Sequence, residues 1–213
     1  MEYILKILPF LLNGLLVSLK IYVIVVVLVL PLAIIAAIGK VSGPKVLKKI
    51  LFLYTWIWRG TPLLLQLFFI YYAFPYFGIV LSPLTSVIVA FVLNVTAYET
   101  EIIRAGIESI DKGQYEAAKA LGMNYVQTMR RIIIPQTIRR ALPATCSEAI
   151  LTFKDTALIA AVAVGDLLRS AKELVFADFK ITPFFVACAI YLIISSILVQ
   201  VFARLEKKYS IYE

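Results

Sequence analysis

A charged stretch, Glu116-Ala117-Ala118-Lys119-Ala120-Leu121-Gly122, followed after nine residues by Ile132-Ile133-Ile134-Pro135, interrupts a strongly apolar chain. The segments on either side are long enough to cross a bilayer. Glu-Ala-Ala alone is ordinary helix composition, but the complete spacing in this setting predicts two short helices that are joined at Gly122. A charged helical hairpin between two membrane spans is typical of a docking surface for a cytosolic partner.

The composition predicts one membrane domain over residues 1–213. Of the 213 residues 62% are hydrophobic, and the mean hydropathy is +0.94, whereas soluble domains are closer to half apolar. The chain has no histidine, which excludes an imidazole metal site or a histidine base. Cys146 and Cys188 lie in apolar surroundings without metal-ligand spacing, so we interpret them as packing residues.

Apolar runs divide the chain into an all-α integral membrane protein with five transmembrane helices. Residues 60–98 form a run of 39 without a charge, and a span needs about 20 apolar residues, so this run contains parts of two spans. Pro75, Gly78 and Pro83 mark the turn between them. We place the five spans at residues 15–39, 52–76, 84–106, 141–165 and 181–203, with a coupling loop at 108–135.

Basic residues orient these spans. Residues 40–49 contain four lysines and no acid, residues 104–140 carry seven basic and three acidic residues, and three basic residues follow the last span. All three segments lie on one side if the N-terminus is outside and the C-terminus inside, with residues 166–180 outside. This rule accounts for the net charge of +8 without a nucleic-acid partner.

Several motifs resemble the permeases of ATP-binding-cassette (ABC) importers, in particular the branch that takes up histidine, arginine, lysine, glutamine and similar solutes. The 116–135 spacing matches the family's coupling loop except that Ile134 replaces leucine. Further matches are Arg59-Gly60-Thr61-Pro62, Ala97-Tyr98-x-x-Glu101-x-x-Arg104-x-Gly106-Ile107, Gln114-x-Glu116-Ala117-Ala118 and Lys154-Asp155-Thr156-x-Leu158.

The resemblance implies a set of partners and a location. These are two cytosolic ATPase subunits, a second permease subunit (a copy or a close relative), an extracytoplasmic amino-acid-binding protein, and a prokaryotic plasma (inner) membrane. It assigns contact with the ATPase to Glu116, Ala117, Ala118, Gly122 and Met123. No Gly-Lys-Ser/Thr triplet occurs in the sequence, so we expect no cofactor on this chain and place ATP and Mg²⁺ on the partner ATPase.

A polar stripe on the fourth span is the candidate substrate site. Thr145, Glu148, Thr152 and Asp155 are spaced 3, 4 and 3, which places them on one face of a helix. Charged groups at membrane depth usually face a protein interior or a wet cavity. The alternative is helix–helix association, in which Glu148 or Asp155 pairs with Lys154 or Arg59; for Asp155 we favour this alternative.

Neutral polar residues could add to the site. Asn94 lies in the middle of the third span and Gln66 in the second, and either a pathway or a packing role fits them. At the inner end of the third span, Glu101 and Arg104 are expected to form an i,i+3 ion pair, which favours a structural role over a gate.

The favoured function is a permease for basic amino acids that is not an enzyme by itself. A carboxylate in the pathway, Glu148, would compensate a cationic solute. Glutamine or another polar amino acid is the alternative within the same architecture. An ion-coupled carrier, with Glu148 and Asp155 as a proton relay, and a non-transporting scaffold are the rivals from other classes.

Overall fold

The structure is a computed structural model that describes residues 2–209, and the regular secondary structure within this range is helical. The helices are α1 (Glu2–Ser42), α2 (Lys45–Gly60), α3 (Leu63–Phe68), α4 (Pro83–Glu108), α5 (Lys112–Ala120), α6 (Tyr125–Thr128), α7 (Ile134–Asp155), α8 (Leu167–Asp178) and α9 (Thr182–Tyr209).

Helix α1 is the longest element and begins well before the predicted start at residue 15. Its 41 residues extend for about 60 Å at 1.5 Å per residue, so it exceeds the ~30 Å hydrocarbon core. A buried stripe that includes Leu11, Val25 and Ala33 packs against α4 and α8. Helix α1 therefore joins α4 to α8.

The second predicted span, residues 52–76, is not one continuous helix. Helix α2 ends at Gly60, Thr61 is extended (φ −124°, ψ 147°), and α3 begins at Leu63. Pro62 causes the break, because proline lacks an N–H and forces the preceding residue out of the helical region. After α3 the chain continues through a π-helical turn (Phe69–Ala73) and a 3₁₀ turn (Phe74–Phe77).

The turn into the third span is where the sequence places it. Gly78 adopts a left-handed φ of 78° that glycine favours. The Ser82 hydroxyl accepts a hydrogen bond from the Thr85 N–H at 3.1 Å and caps α4. Helix α4 then covers Pro83–Glu108, close to the predicted residues 84–106.

The fourth span also differs from the prediction of 141–165. Helix α6 continues through a π-helical turn (Met129–Ile133) into α7, and α7 ends at Asp155. A 3₁₀ segment (Thr156–Ala161) follows, and Val162 is extended. The polar residues thus lie on a helix that starts in the coupling loop and stops short of residue 165.

Segments that the charge pattern predicts to lie on the same side are found at the same end of the helical bundle. At one end the Tyr3 hydroxyl donates to Asp178 Oδ2 at 2.6 Å, which joins α1 to α8. At the other end Arg139 and Glu206 line one cleft between α7 and α9. The start of α1 and residues 166–180 therefore share one end, and the coupling loop and the C-terminal part of α9 share the other.

Within residues 2–209, three helices are long and apolar enough to cross a membrane: Glu2–Ser42, Pro83–Glu108 and Thr182–Tyr209. The segment Leu63–Phe77 is apolar but shorter. Most of the apolar surface of α9 is exposed in the described chain. The molecule is therefore an all-helical protein of membrane type.

Candidate functional site: the coupling loop and the polar face of α7

The coupling loop forms the predicted helical hairpin. Helix α5 is nine residues long and is capped at its start by the Asp111 carboxylate, which accepts from the Gly113 N–H at 2.7 Å. It ends where the Gly122 N–H donates to Lys119 O at 3.0 Å and the Met123 N–H donates to Ala118 O at 3.0 Å. This pair of bonds is the Schellman motif, and Gly122 supplies its left-handed residue with φ 74°.

The second helix starts after Asn124, which caps it. The Asn124 side chain accepts from the Gln127 N–H, and the Gln127 side chain accepts from the Asn124 N–H, both at 2.9 Å. This reciprocal capping box fixes the first turn of α6. Helix α6 runs into α7 without a break in helical backbone, so the hairpin and the polar face of α7 are parts of one continuous helical segment.

An apolar core attaches the hairpin to the bundle. Ala37 from α1, Ile107 from α4 and Met129 and Ile133 from the π-helical turn are all buried in it. The hydroxyl groups of Ser42 and Tyr125 are hydrogen bonded, which ties the end of α1 to α6. Burial raises the pKa of Tyr115, which packs against this core, and the nearby Tyr125 acts in the same direction. The hairpin is thus held by packing rather than by surface charge.

The five predicted ATPase-contact residues divide into two groups. Glu116, Ala117 and Gly122 are exposed, whereas Ala118 is fully buried and Met123 is half-buried. Ala118 faces inward because it lies on the side of α5 that packs on the bundle, so its side chain is not part of the outward surface of the hairpin. Two apolar residues that the sequence did not single out, Leu121 (79% exposed) and Val126 (69% exposed), extend the outward surface.

Glu101 is the centre of a charge cluster at the same end of the bundle. Its carboxylate pairs with Arg104 at 2.8 Å, as predicted, and also with Lys40; Arg59 lies 3.9 Å away. The Lys40 ammonium additionally donates to the Thr55 hydroxyl at 2.8 Å. Helices α1, α2 and α4 are therefore joined through one nearly buried carboxylate.

The four residues of the predicted stripe do lie together on α7. Thr152 is buried and its hydroxyl donates to the Glu148 carbonyl at 2.9 Å, one turn earlier. The Glu148 and Asp155 side chains are half-buried. Within residues 2–209 neither carboxylate has an ion-pair partner within 4.0 Å, and Lys154 is exposed. The contacts of the described chain therefore do not support pairing of Glu148 or Asp155 with Lys154 or Arg59.

Glu99 is the polar residue that the sequence reasoning missed. It lies on α4, its side chain is almost fully buried (2% exposed), and it accepts a hydrogen bond from the Thr145 hydroxyl at 3.0 Å. Its partner Thr145 lies one turn before Glu148 on α7, so Glu99 is close to the polar stripe. An ionisable residue inside a span is a functional candidate by default, and this signal would have found it.

Asn94 and Gln66 interact with each other rather than with the α7 stripe. The Asn94 amide donates to Gln66 Oε1 and to the Trp58 carbonyl, each at 2.9 Å. The Gln66 amide donates to the Trp58 carbonyl at 2.9 Å and to the Thr61 carbonyl at 3.0 Å. Because the break at Pro62 leaves these carbonyls without helical partners, the two amides satisfy backbone groups that would otherwise be orphaned. These contacts favour the packing role.

Comparison with known proteins identifies the family to which this chain belongs. Residues 29–211 match the family described as "Binding-protein-dependent transport system inner membrane component". The chain belongs to this family. The match covers the coupling loop, the α7 stripe and α9, and it confirms the resemblance that the motifs indicated.

Individual relatives support the same assignment. The chain is 37% identical over 202 residues to the "Arginine transport system permease protein ArtQ" of Bacillus subtilis, covering 94% of this chain and 92% of that protein. It is 37% identical over 212 residues to the "Putative glutamine transport system permease protein GlnP" of Rickettsia felis, covering 97% of each. Both alignments extend over nearly the full length of the two proteins.

Solved structures agree with the fold. A chain in the "Crystal structure of an amino acid ABC transporter with histidines" superposes with a TM-score of 0.91 at 33% identity, covering 97% of both chains. A chain of the MetNI methionine ABC transporter, in inward facing conformations, superposes with a TM-score of 0.78 at 17% identity, covering 98% of this chain and 99% of that one. The second likeness concerns the fold alone.

Proposed function

We propose that this chain is the permease subunit of an ATP-driven importer of amino acids, with a preference for basic ones. The observation that carries the proposal is the hairpin at residues 108–131, whose outer surface is exposed while its inner surface is anchored to α1 and α4. A surface of this kind gives a cytosolic ATPase a rigid body to move. The relatives named above, which carry arginine and glutamine in their names, support an amino acid as the solute.

The proposed cycle uses two states of the permease. The binding protein delivers the solute outside, and ATP binding brings the two ATPase subunits together. Because α6 is continuous with α7, movement of the hairpin shifts the polar face from inward to outward access, and hydrolysis reverses it. ATP and Mg²⁺ bind to the ATPase, and a second permease subunit completes the pathway.

The preference for a basic amino acid rests on the carboxylates of α4 and α7. Glu148 and Asp155 are half-buried and form no ion pair within 4.0 Å in the described chain, and the buried Glu99 lies beside Thr145. A buried charge is stabilised when an opposite charge approaches it, so a cationic side chain of the solute suits this face. Glutamine stays the second candidate, because glutamine permeases are among the relatives of similar identity.

The five-span topology is part of the proposal. In it α1, α2 with α3, α4, α7 with its 3₁₀ extension, and α9 cross the membrane, and the N-terminus is outside. Val80 and Lys112 are both exposed. In the proposed topology they lie on opposite sides of the membrane. In a variant that lacks Cys146 and Cys188, a cysteine at position 80 should react only with an impermeant reagent added outside, and a cysteine at 112 only from inside. Reversed labelling would overturn this topology.

Uptake by the reconstituted complex tests the function itself. Proteoliposomes that hold the permease, its ATPase and the binding protein should accumulate labelled arginine only when ATP reaches the ATPase. Collapse of the proton gradient with ATP maintained should leave uptake unchanged. Uptake that needs the proton gradient instead, or that proceeds without ATP, would contradict the proposal.

A further inference from the structure

A basic cavity lies between α1, α2 and α4 at the end of the bundle that carries the coupling loop. Its volume is about 760 Å³, and its charged lining consists of Lys40, Lys48, Lys49, Arg59, Arg104 and Glu101. Five cations and one carboxylate give the lining a net charge of +4. We refer to it as the inner basic cavity.

Its cations are not equally available. Lys40 and Arg104 pair with Glu101, and their side chains are partly buried. Lys48 and Lys49 are exposed, and Arg59 lies at the long distance of 3.9 Å from Glu101 with its side chain 44% exposed. One carboxylate is thus shared among several cations, and positive charge is left over at the mouth of the cavity.

The surface of α2 beside this cavity is apolar. Val46, Ile50, Leu53 and Ile57 are spaced 4, 3 and 4 along the helix, and all are exposed. This spacing forms one stripe, which starts near the lysines and runs toward the break at Pro62. On the face of α2 that carries Lys48 and Lys49, Phe52 and Trp56 are exposed and line the cavity.

Together these features fit an amphipathic anion. We propose that the inner basic cavity binds the headgroup of an anionic phospholipid, whose acyl chain lies along the apolar stripe of α2. Basic pockets between membrane helices on the cytoplasmic side are suited to acidic headgroups. A soluble anion would use the cations but would leave the stripe unexplained, and a zwitterionic lipid would use the stripe but not the net charge.

The inference goes beyond transport. It depends on the proposed topology in one respect, since that topology determines that the bound lipid belongs to the inner leaflet. It also gives the lysines of residues 45–49 a role besides orientation. Lipid bound here would contact α2 next to the Lys40–Glu101–Arg104 cluster, which joins α2 to α1 and α4.

Tryptophan quenching provides the test, because Trp56 is exposed in the cavity (65%) while Trp58, the only other tryptophan, is half-buried on the other side of α2. The assembled transporter is titrated with phosphatidylglycerol or phosphatidylcholine that carries brominated acyl chains. The difference in quenching between the parent complex and a Trp56→Phe complex isolates Trp56, since the partner chains contribute equally to both.

We expect Trp56 to be quenched at lower concentrations of phosphatidylglycerol than of phosphatidylcholine. Each lysine near an anionic surface contributes about fivefold to binding, so Lys48→Gln with Lys49→Gln should reduce this preference about 25-fold. The matched control is Arg204→Gln with Lys208→Gln, which removes two exposed cations from the same end of the bundle but outside the cavity. It should leave the preference unchanged.

Several results would overturn the proposal. Equal quenching by the two lipids would show that the cavity does not select the anionic headgroup, and an equal loss in the control pair would show that the preference comes from general surface charge. Displacement of phosphatidylglycerol by millimolar inorganic phosphate would assign the cavity to a soluble anion. No quenching of Trp56 by either lipid would show that a protein subunit covers this face of α2.

Discussion

Glu101 and Glu148 are glutamates on neighbouring membrane helices, and they differ in what surrounds them. Glu101 has cations from three helices around it, with Lys40 from α1, Arg59 from α2 and Arg104 from its own helix α4. Glu148 is half-buried, and no cation lies within 4.0 Å of its carboxylate in the described chain.

This difference separates two uses of charge inside a membrane protein. A charge that the fold itself neutralises holds helices together, because its removal leaves the partners unpaired. A charge that the fold leaves open is available to a ligand that brings the opposite sign. The same distinction applies to the amides, since Asn94 and Gln66 are hydrogen bonded within the chain.

The largest effect is expected at Glu101. Glu101→Gln leaves the largely buried Lys40 ammonium without its anion, and loss of one partner from a buried pair costs about 3 kcal/mol or more. We expect a marked fall in the thermal stability of the purified complex, whereas Glu148→Gln should leave the melting temperature nearly unchanged. Equal melting temperatures for the two variants would remove the distinction between the glutamates.

A smaller loss of stability is expected at Asn94. Asn94→Ala removes a donor to the Trp58 carbonyl and to Gln66, and leaving buried polar groups unsatisfied costs about 1–3 kcal/mol. Unfolding of the complex should become easier, while the ratio of arginine to glutamine uptake stays the same in the molecules that remain folded. A changed ratio would instead place Asn94 in the substrate site.

The smallest effect on the permease itself is expected at Glu116. This glutamate is exposed on the outer surface of α5, and surface substitutions usually change stability by about 0.5 kcal/mol or less. Glu116→Lys should therefore insert and fold normally but reduce copurification with the ATPase, because it reverses a charge on the docking surface. Glu2→Lys, which reverses an exposed charge at the opposite end, is the control. Normal copurification and transport by Glu116→Lys would refute the docking role.

Local signals in the sequence were sufficient for the coupling loop. The left-handed Gly122 and the Asn124 cap follow from short-range backbone requirements, which a sequence states directly. The i,i+3 pair of Glu101 and Arg104 was predictable for the same reason.

Contacts between distant parts of the chain were harder to predict. The break at Pro62 is a local feature of the motif Arg59-Gly60-Thr61-Pro62, but the length of the apolar run favours a single span over residues 52–76. Gln66 and Asn94 donate hydrogen bonds to the carbonyls that the break leaves free. This could not be predicted without knowing that α3 and α4 lie side by side. Likewise, periodicity assigned Glu148 to a face of α7, but only the packing of α4 on α7 brings Glu99 to Thr145.

Arginine and glutamine uptake, measured side by side in the reconstituted transporter, tests the central claim that Glu148 receives the cationic side chain of the solute. A charge-assisted hydrogen bond is worth about 1.5–3 kcal/mol, so Glu148→Gln should lower arginine uptake by about one to two decades at limiting concentration. Glutamine uptake, basal ATPase activity and assembly should be unchanged, as should both uptakes in the control Glu173→Gln on α8. Arginine uptake at the parental rate in Glu148→Gln, or an equal loss for both solutes, would contradict the claim.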